Sequence, residues 1–167
     1  MNLLKQVIKN IKLLVLDVDG VLTDGSLFYS KDGEYIKQFN VRDGQGIKLA
    51  QAYGIELAII SGRECEIVKN RFSELGINHI FQHCHDKAKK IKELAVELKV
   101  SLNEAAYIGD DILDVPVLEI VGLPVCPKDA HPSAVSKSKL ITESCGGKGC
   151  VRELIDLILK EQGKIQI

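Results

Sequence analysis

Four short apolar runs, each followed by small or acidic residues or bounded by them, constrain the fold more than any other feature of the sequence. They are Ile11–Leu16, Ile55–Ile60, Ala105–Ile108 and Val121–Val125. Apolar runs this short, bounded by Gly or Asp, are typical of strands buried on both faces. Stretches with helical spacing alternate with them: Gly46–Tyr53, Glu64–Leu75, Asp86–Lys99, Ile112–Ile120 and Val151–Lys160. The alternation predicts an α/β fold, an open parallel sheet with helices on both faces.

The length and charge of the chain exclude several classes of protein. Its 167 residues suit one domain, 1–167, which buries enough surface to fold without a disulfide or a structural metal. Lys plus Arg number 22 and Asp plus Glu number 23, so the formal net charge is −1. Proteins that bind nucleic acid or anionic membranes need a basic surface, which this balance does not provide.

The start of the chain and the cysteines favour a cytoplasmic protein. Lys5, Lys9 and Lys12 interrupt the first apolar residues, so we expect neither a signal peptide nor a membrane span there. The five cysteines are odd in number and form no CxxC pair, which is typical of reduced thiols. Cys145 and Cys150 flank a glycine loop, where a reversible disulfide is the alternative to two unpaired residues.

One segment interrupts the alternation. Ser26–Ser30 and Glu34–Asn40 flank Lys31-Asp32-Gly33, and Asp-Gly between β-forming residues predicts a hairpin over about 26–40. A lone two-stranded hairpin is marginally stable in water, so this one should pack on something. The hairpin could pack on its own domain or form an interface with a second subunit, and the sequence leaves both alternatives open.

Polar residues concentrate directly after three of the predicted strands. Asp17-Val18-Asp19-Gly20 follows the first, Ser61-Gly62-Arg63 the second, and Gly109-Asp110-Asp111 with Asp114 the third. Open α/β sheets bind their ligands at these carboxyl ends. Several aspartates buried in one cleft are costly unless cations compensate their charge. Magnesium, a lysine and an arginine would do so, and together they predict a phosphate-handling site.

These residues belong to a longer set of ordered motifs. DVDGVLTDG at 17–25, SGR at 61–63, Lys87 and GDDILD at 109–114 resemble the four motifs of haloacid-dehalogenase-superfamily phosphatases. Within that superfamily, FNVRDGQGI at 39–47, YIGDDILDVPV at 107–117, DAHP at 129–132 and GGKGCVREL at 146–154 are similar to the 3-deoxy-D-manno-octulosonate (Kdo) 8-phosphate phosphatase family. That family supplies free Kdo for lipopolysaccharide in Gram-negative bacteria. The resemblance covers about the whole chain and implies a Rossmann-like fold without a cap domain.

The resemblance implies a catalytic role for each matching residue. Asp17 would be the nucleophile that forms an aspartyl-phosphate. Asp19 would protonate the leaving sugar oxygen and then activate water. Ser61 would hydrogen-bond the phosphoryl group beside the flexible backbone of Gly62, and Lys87 would neutralise its charge.

The resemblance also implies magnesium as the cofactor. The carboxylate of Asp17, the backbone carbonyl of Asp19 and Asp110 would hold the ion, with Asp111 and Asp114 in supporting positions. A metal, a lysine and a hydroxyl suit phosphoryl transfer, because catalysis of that reaction depends on positioning and on stabilising oxygen charge.

Three arginines are candidates for binding the substrate. Arg63 favours the Kdo-type substrate, because a sister group that acts on nine-carbon ulosonate 9-phosphates tends to carry Glu at this position. The guanidinium of Arg63 would pair with the substrate carboxylate. Arg42 and Arg71 match family positions, with a structural role and a helix-surface position as the respective alternatives. A nine-carbon ulosonate 9-phosphate phosphatase is the alternative function, and a non-enzymatic phosphoacceptor receiver domain is a more distant one.

The resemblance implies a homotetramer in which the hairpins assemble and the C-terminal tail, about 162–167, reaches a neighbouring active site. A frayed terminus is the alternative for the tail. The chain departs from the family before Lys87, where Gln82-His83-Cys84-His85-Asp86 replaces a usual Gln-Gly, so that loop is expected to differ. Zinc binding by His83-Cys84-His85 is less favoured than solvent-facing histidines, because alternate side chains point apart.

Overall fold

A parallel six-stranded sheet forms the centre of the molecule in the computed structural model, which describes residues 3–166. Its strands are β1 Leu13–Leu16, β4 Glu56–Ile60, β5 His79–Phe81, β6 Ala105–Ile108, β7 Leu123–Cys126 and β8 Leu140–Ile141; β2 Phe28–Ser30 and β3 Gly33–Ile36 form a separate hairpin. The order across the sheet is β5-β4-β1-β6-β7-β8, and all neighbours run parallel. The predicted α/β fold class is confirmed.

Helices cover both faces of this sheet. They are α1 Leu3–Lys9, α2 Val41–Ala52, α3 Glu66–Glu74, α4 Lys87–Glu97, α5 Val115–Leu118, α6 Pro132–Lys137 and α7 Cys150–Glu161, with 3₁₀ turns at Leu102–Glu104 and Ile112–Asp114. Across residues 3–166, none of these helices has the length and apolar character needed to cross a bilayer.

The central strand β1 divides the core into two layers. All four of its residues are fully buried. Leu14 and Leu16 pack in the layer under α2, α3 and α7, whereas Leu13 and Val15 pack in the layer under α4, α5 and α6. Because side chains alternate along a strand, apolar residues at every position require cover on both faces.

One predicted helix is wrong in form. The stretch Ile112–Ile120 is a 3₁₀ turn, Ile112–Asp114, followed by the single-turn helix α5. The side chain of Asp114 turns back to accept hydrogen bonds from the backbone amides of Asp110 and Asp111, which tightens the first turn. Helix α1, helix α6 and strands β5 and β8 were not predicted, because short elements carry little periodicity.

Helix α2 begins at Val41, before the predicted Gly46. Asn40 caps it, since its side chain accepts a hydrogen bond from the backbone amide of Arg42. Glycine weakens the helical signal in the sequence, yet Gly46 is required here, because a Cβ would lie 2.9 Å from Cδ of Arg152 on α7. The sequence analysis therefore missed the first turn of α2, because the glycine that allows close packing against α7 also weakens the helical signal.

The hairpin forms as predicted, but its second strand ends at Ile36 rather than at Asn40. Much of its apolar surface faces solvent in the single chain. The exposed side chains are Leu27, Phe28, Tyr29 and Ile36, with exposed fractions of 43%, 45%, 61% and 47%. The hairpin is thus an apolar projection that its own sheet does not cover.

The C-terminal tail folds back on its own chain. The side-chain amide of Gln162 donates to the carbonyl of Ile11, just before β1, and Nζ of Lys164 donates to the carbonyl of Tyr53. Both contacts lie at the amino edge of the sheet. Ile167, the last residue of the predicted tail, lies outside the described residues, and contact of the tail with a neighbouring site stays a prediction.

All five cysteines are free, so the alternative disulfide between Cys145 and Cys150 is not formed. Cys150 is buried, and its Sγ lies 3.2 Å from the carbonyl oxygen of Val21.

Candidate functional site

A cleft opens at the carboxyl edge of the sheet, where the loops after β1, β4 and β6 meet. Its cavity measures about 530 Å³. It is lined by every candidate residue except Arg42 and Arg71: Asp17, Asp19, Ser61, Gly62, Arg63, Lys87, Asp110, Asp111 and Asp114. Parallel strands bring residues from three distant segments to one edge, as the sequence predicted.

The buried ammonium of Lys87 forms ion pairs with two of the aspartates in the floor of the cleft. Lys87 is the first residue of α4, and its Nζ lies 3.0 Å from Oδ1 of Asp17 and 2.7 Å from Oδ1 of Asp114. Burial raises the pKa of Asp17, and the nearby ammonium of Lys87 only partly offsets this. Burial lowers the pKa of Lys87, but Asp17 and Asp114 outweigh it, so the net pKa is raised and the lysine stays charged.

Asp114 has partners on both of its oxygens. Its Oδ1 accepts from Lys87 and, at 2.5 Å, from the hydroxyl of Tyr107, while its Oδ2 accepts from the amides of Asp110 at 2.9 Å and Asp111 at 3.1 Å. Asp114 therefore fixes the loop after β6 and orients Lys87. The sequence did not single out Tyr107, because it lies within the apolar run of β6; a buried tyrosine hydroxyl needs a partner, and that was the available signal.

The aspartates of this floor suit a divalent cation. Carboxylate oxygens of Asp17, Asp110 and Asp114 lie within 4.8 Å of one another. Burial, followed by the charges of Asp17, Asp114 and Asp111, raises the pKa of Asp110 to about 7. Since the oxygens of Asp114 are already bonded, Asp17 and Asp110 are the carboxylates with capacity for an ion. Oxygen ligands from carboxylates are what magnesium prefers.

Gly20 determines how closely the loop after β1 approaches Asp110. Its φ is +86°, a conformation that favours glycine, and a Cβ there would lie 2.1 Å from Oδ2 of Asp110. Any side chain at this position would displace the Asp110 carboxylate.

The second aspartate of the loop, Asp19, has different partners. Nζ of Lys37 lies 2.5 Å from its Oδ1, and Nε of Arg63 lies 3.5 Å from its Oδ2. Nη2 of Arg63 also donates to the hydroxyl of Tyr29 on β2, at 3.0 Å. Lys37 was missed by the sequence analysis, because a lysine close to a predicted hairpin strand carries no signal for burial in a cleft.

Ser61 is held by backbone contacts at the end of β4. Its amide donates to the carbonyl of Phe81, its carbonyl accepts from the amide of Cys84, and its Oγ lies 3.3 Å from the amide of Arg63. The hydroxyl thus faces the cleft from a rigid turn and can donate to an oxyanion there.

The loop before Lys87 contains a residue other than glycine in the left-handed region. His83 has φ of +53°, in the left-handed region where glycine is favoured, and its amide bonds to the carbonyl of Arg63. Within residues 3–166, no group of three or more potential metal ligands includes His83, Cys84 or His85. His83 and His85 are both exposed. His85 also lines the cleft, together with the partly buried Cys84.

The glycine loop before α7 packs beneath the loop that carries Asp19. The amide of Gly147 donates to the carbonyl of Val21 at 2.8 Å, and a Cβ on Gly146 would lie 1.9 Å from the carbonyl oxygen of Gly20. This backbone-to-backbone contact supports the loop that carries Asp19 from below. The loop is a support rather than a nucleotide-binding loop, since it forms no part of the cleft lining.

Asp43 joins α2 to the start of α7. Its Oδ1 accepts a hydrogen bond from the backbone amide of Arg152 at 2.7 Å. The carboxylate thereby caps the N-terminus of α7, because Gly149 at the N-cap position has no side chain to do so. Its Oδ2 is buried without a hydrogen-bond partner. Burial raises the pKa of Asp43 to about 6, although the backbone amides at the start of α7 lower it.

Arg42 and Arg71 lie outside the cleft of the single chain. Arg42 lines a surface depression beside Lys148 and Arg152. Nη1 of Arg71 lies 3.3 Å from Glu74, and its guanidinium covers Gly44 of α2. Their role in substrate binding stays a prediction.

Comparisons with known proteins give consistent results. The family model described as haloacid dehalogenase-like hydrolase matches residues 66–154. The chain is 46% identical over 157 residues to 3-deoxy-D-manno-octulosonate 8-phosphate phosphatase KdsC of Escherichia coli K12, covering 94% of this chain and 84% of that protein.

Solved structures resemble the chain over nearly its whole length. The Yersinia pestis 3-deoxy-D-manno-octulosonate 8-phosphate phosphatase has a TM-score of 0.93 and 44% identity, with 96% of this chain and 86% of that chain covered. The Moraxella catarrhalis enzyme, solved with magnesium, phosphate and Kdo, has a TM-score of 0.94 and 40% identity, covering 98% and 94% of the two chains.

Proposed function

Because the chain belongs to the 3-deoxy-D-manno-octulosonate 8-phosphate phosphatase family of haloacid dehalogenase-like hydrolases, we propose that it hydrolyses Kdo 8-phosphate to Kdo and phosphate with magnesium. It is a phosphoric monoester hydrolase, and the reaction supplies a precursor of lipopolysaccharide. One observation carries the proposal: a buried carboxylate, Asp17, faces an open cleft with Lys87 on one side and Asp110 on the other.

The first step transfers the phosphoryl group to Asp17. An oxygen of the Asp17 carboxylate forms a bond to phosphorus as the bond from phosphorus to the sugar oxygen breaks. The proton carried by Asp19 goes to that sugar oxygen, so the sugar leaves as an alcohol. Lys87 fixes the attacking carboxylate and opposes the negative charge of the phosphoryl oxygens, and the Ser61 hydroxyl donates to one of them.

The second step hydrolyses the aspartyl-phosphate. Water attacks phosphorus and gives its proton to the Asp19 carboxylate, while the bond from phosphorus to the Asp17 oxygen breaks. Phosphate leaves, Asp17 is again a carboxylate, and Asp19 again carries the proton needed for the next turnover.

The residues present fit magnesium. The Asp17 and Asp110 carboxylates and the backbone carbonyl of Asp19 would hold it, with Asp114 and Asp111 ordering the loop that presents Asp110. When bound, the ion supplies positive charge that compensates these carboxylates and the phosphoryl oxygens.

Arg63 would select a substrate that carries a carboxylate. Its side chain is 39% exposed at the cleft, close enough to Asp19 to reach a bound sugar acid. A guanidinium binds a carboxylate through two parallel hydrogen bonds, a geometry that a neutral sugar cannot reproduce.

The active form would be a homotetramer in the cytoplasm. A hairpin that exposes Phe28, Tyr29 and Ile36 is a suitable surface for contacts between subunits, and the open cleft would gain a wall from a neighbour. Five free cysteines fit a reducing compartment. Sedimentation equilibrium would test the assembly, and a monomer at micromolar concentration would contradict it.

The function is tested by phosphate release from a panel of sugar phosphates, with magnesium and with a chelator. The panel contains Kdo 8-phosphate, a nine-carbon ulosonate 9-phosphate and hexose phosphates. We expect magnesium-dependent turnover with a strong preference for Kdo 8-phosphate. Preference for the nine-carbon ester would keep the chemistry and overturn the substrate, whereas a stable aspartyl-phosphate without turnover would indicate a receiver domain.

A further inference from the structure

We propose that Lys37, at the end of the hairpin segment, is a positioning residue that holds Asp19 in place for proton transfer to the leaving sugar oxygen. This inference rests on the proposed function, and it gives the hairpin a part in catalysis within its own subunit.

The contact between Lys37 and Asp19 is close and shielded. Nζ of Lys37 lies 2.5 Å from Oδ1 of Asp19, and the lysine side chain is only 1% exposed. Exposed ion pairs contribute little, because solvent screens them and both side chains stay mobile. A lysine withdrawn from solvent loses that freedom, so its partner is held in one orientation.

The surroundings of Asp19 explain why it needs such a partner. Asp17 and Asp110 line the same cleft, and within residues 3–166 neither makes a contact that would hold the side chain of Asp19 in place. Asp17 is fixed by Lys87 from α4, whereas Asp19 is 21% exposed and follows the strand on a loop. Of the two cations beside this second aspartate, Lys37 is the closer, at 2.5 Å against 3.5 Å for Arg63, and the less exposed.

The pairing also distinguishes the two oxygens of Asp19. Oδ1 faces Nζ of Lys37, whereas Oδ2 lies 3.5 Å from Nε of Arg63. In the proposed first step, Asp19 gives its proton to the sugar oxygen as the phosphorus–oxygen bond breaks. Lys37 keeps its own protons throughout and acts on this step through Asp19.

This role predicts a dependence on the leaving group. A sugar alcohol leaves poorly without a proton, whereas 4-nitrophenolate leaves without one. If Lys37 positions the acid, its loss will matter for the sugar ester and hardly for the aryl ester. If it binds the phosphoryl group or supports the fold, both esters will lose equally.

The experiment compares Lys37→Met, Lys37→Arg and wild type on Kdo 8-phosphate and 4-nitrophenyl phosphate, with kcat/KM as the readout. This ratio reports the steps up to phosphoryl transfer and excludes hydrolysis of the intermediate. We expect Lys37→Met to lower kcat/KM about 100-fold for the sugar ester, the lower range of general acid catalysis, and less than about 3-fold for the aryl ester. Lys37→Arg should recover part of the sugar-ester activity.

Two controls keep the result decisive. Lys31→Met, on the exposed turn of the same hairpin, should leave both esters unchanged. In an Asp19→Asn background, Lys37→Met should cause no further loss on either ester, because the residue through which it acts is gone. An equal loss on both esters, no loss on either, or a further loss in the Asp19→Asn background would overturn the inference.

Failure of the proposed function has a separate signature. If wild type does not hydrolyse Kdo 8-phosphate but hydrolyses another alkyl phosphate, that ester takes its place in the comparison. The role of Lys37 is then decided on the same ratio while the substrate assignment is discarded.

Discussion

The two aspartates of the loop after β1 are two residues apart, yet they belong to differently built halves of one cleft. Asp17 lies in the core half, with Lys87, Asp110 and Asp114, all at or near the ends of core strands and helices. The hairpin half consists of Asp19, Lys37, Arg63 and Tyr29, and depends on the insertion after β1.

The difference lies in how each charge is compensated. In the core half, Lys87 and Asp114 are each buried with several bonded partners, so their positions are fixed before any ligand arrives. In the hairpin half, the side chains of Asp19 and Arg63 are 21% and 39% exposed. A preorganised floor suits stabilisation of a transition state, whereas the more exposed side chains of Asp19 and Arg63 are placed to contact the substrate.

The largest effect is expected for Asp17→Asn in the core half. Removing the proposed nucleophile should lower phosphate release by more than about 10³-fold, to background. The fold should persist, because burial already disfavours the charged form of Asp17 and asparagine is of similar size. Phosphate release and thermal unfolding measure the two outcomes. Residual activity within tenfold of wild type would show that another residue accepts the phosphoryl group.

Lys87→Met should damage both chemistry and stability. We expect a loss of about 10²–10³ in kcat, and a decrease of about 3 kcal/mol in the free energy of unfolding without metal, because two buried carboxylates lose their shared cation. The matched control is Lys90→Met on the same helix, whose exposed pair with Glu93 should contribute nothing measurable. Equal stability of the two variants would show that the core half is not preorganised by charge.

A contact outside both halves, between α2 and α7, is tested by Asp43→Asn. Because burial raises the pKa of Asp43 to about 6, the folded chain binds this proton more tightly than the unfolded chain does. The free energy of unfolding of wild type therefore falls as pH rises from about 4 to 6, and asparagine lacks this loss.

Between pH 4.5 and 7.5, the free energy of unfolding of wild type should fall by about 2 kcal/mol more than that of Asp43→Asn. Urea unfolding of both proteins across this range measures the shift. A shift of the opposite sign would show that the amides at the start of α7 outweigh burial.

The smallest effect is expected in the hairpin half. Arg63→Met should raise KM for Kdo 8-phosphate about tenfold, through loss of a charged hydrogen bond to the substrate carboxylate. KM for a hexose phosphate, which has no carboxylate, should hardly change. Arg152→Met, on α7 and outside the cleft lining, is the control. An equal increase for both substrates would remove Arg63 as the determinant of specificity.

The sequence predicts the core half better than the hairpin half for a physical reason. Asp17 and Ser61 directly follow buried strands and Asp110 comes one residue later, so parallel connectivity alone brings them together. Lys37 reaches Asp19 only through the packing of an insertion, and Asp43 reaches α7 only through contact of two helices. No local pattern encodes either contact.

A departure from the family pattern is also instructive. The sequence predicts that the loop before Lys87 differs from the family pattern; there, His83 adopts a positive φ and its amide donates to the carbonyl of Arg63. A local conformational cost is thus accepted where neighbouring bonds determine the path. The sequence alone did not indicate that His83 would adopt a left-handed backbone conformation.

The contact of the glycine loop with the loop after β1 also bears on when the enzyme becomes competent during synthesis. Cys150 and Val21 touch, although 129 residues separate them. At about 5–20 residues per second, a ribosome needs roughly 6–26 seconds to add those residues. Until then the loop bearing Asp19 lacks the support of the glycine loop, so we expect a nascent chain that already contains Asp17 to be unable to turn over substrate.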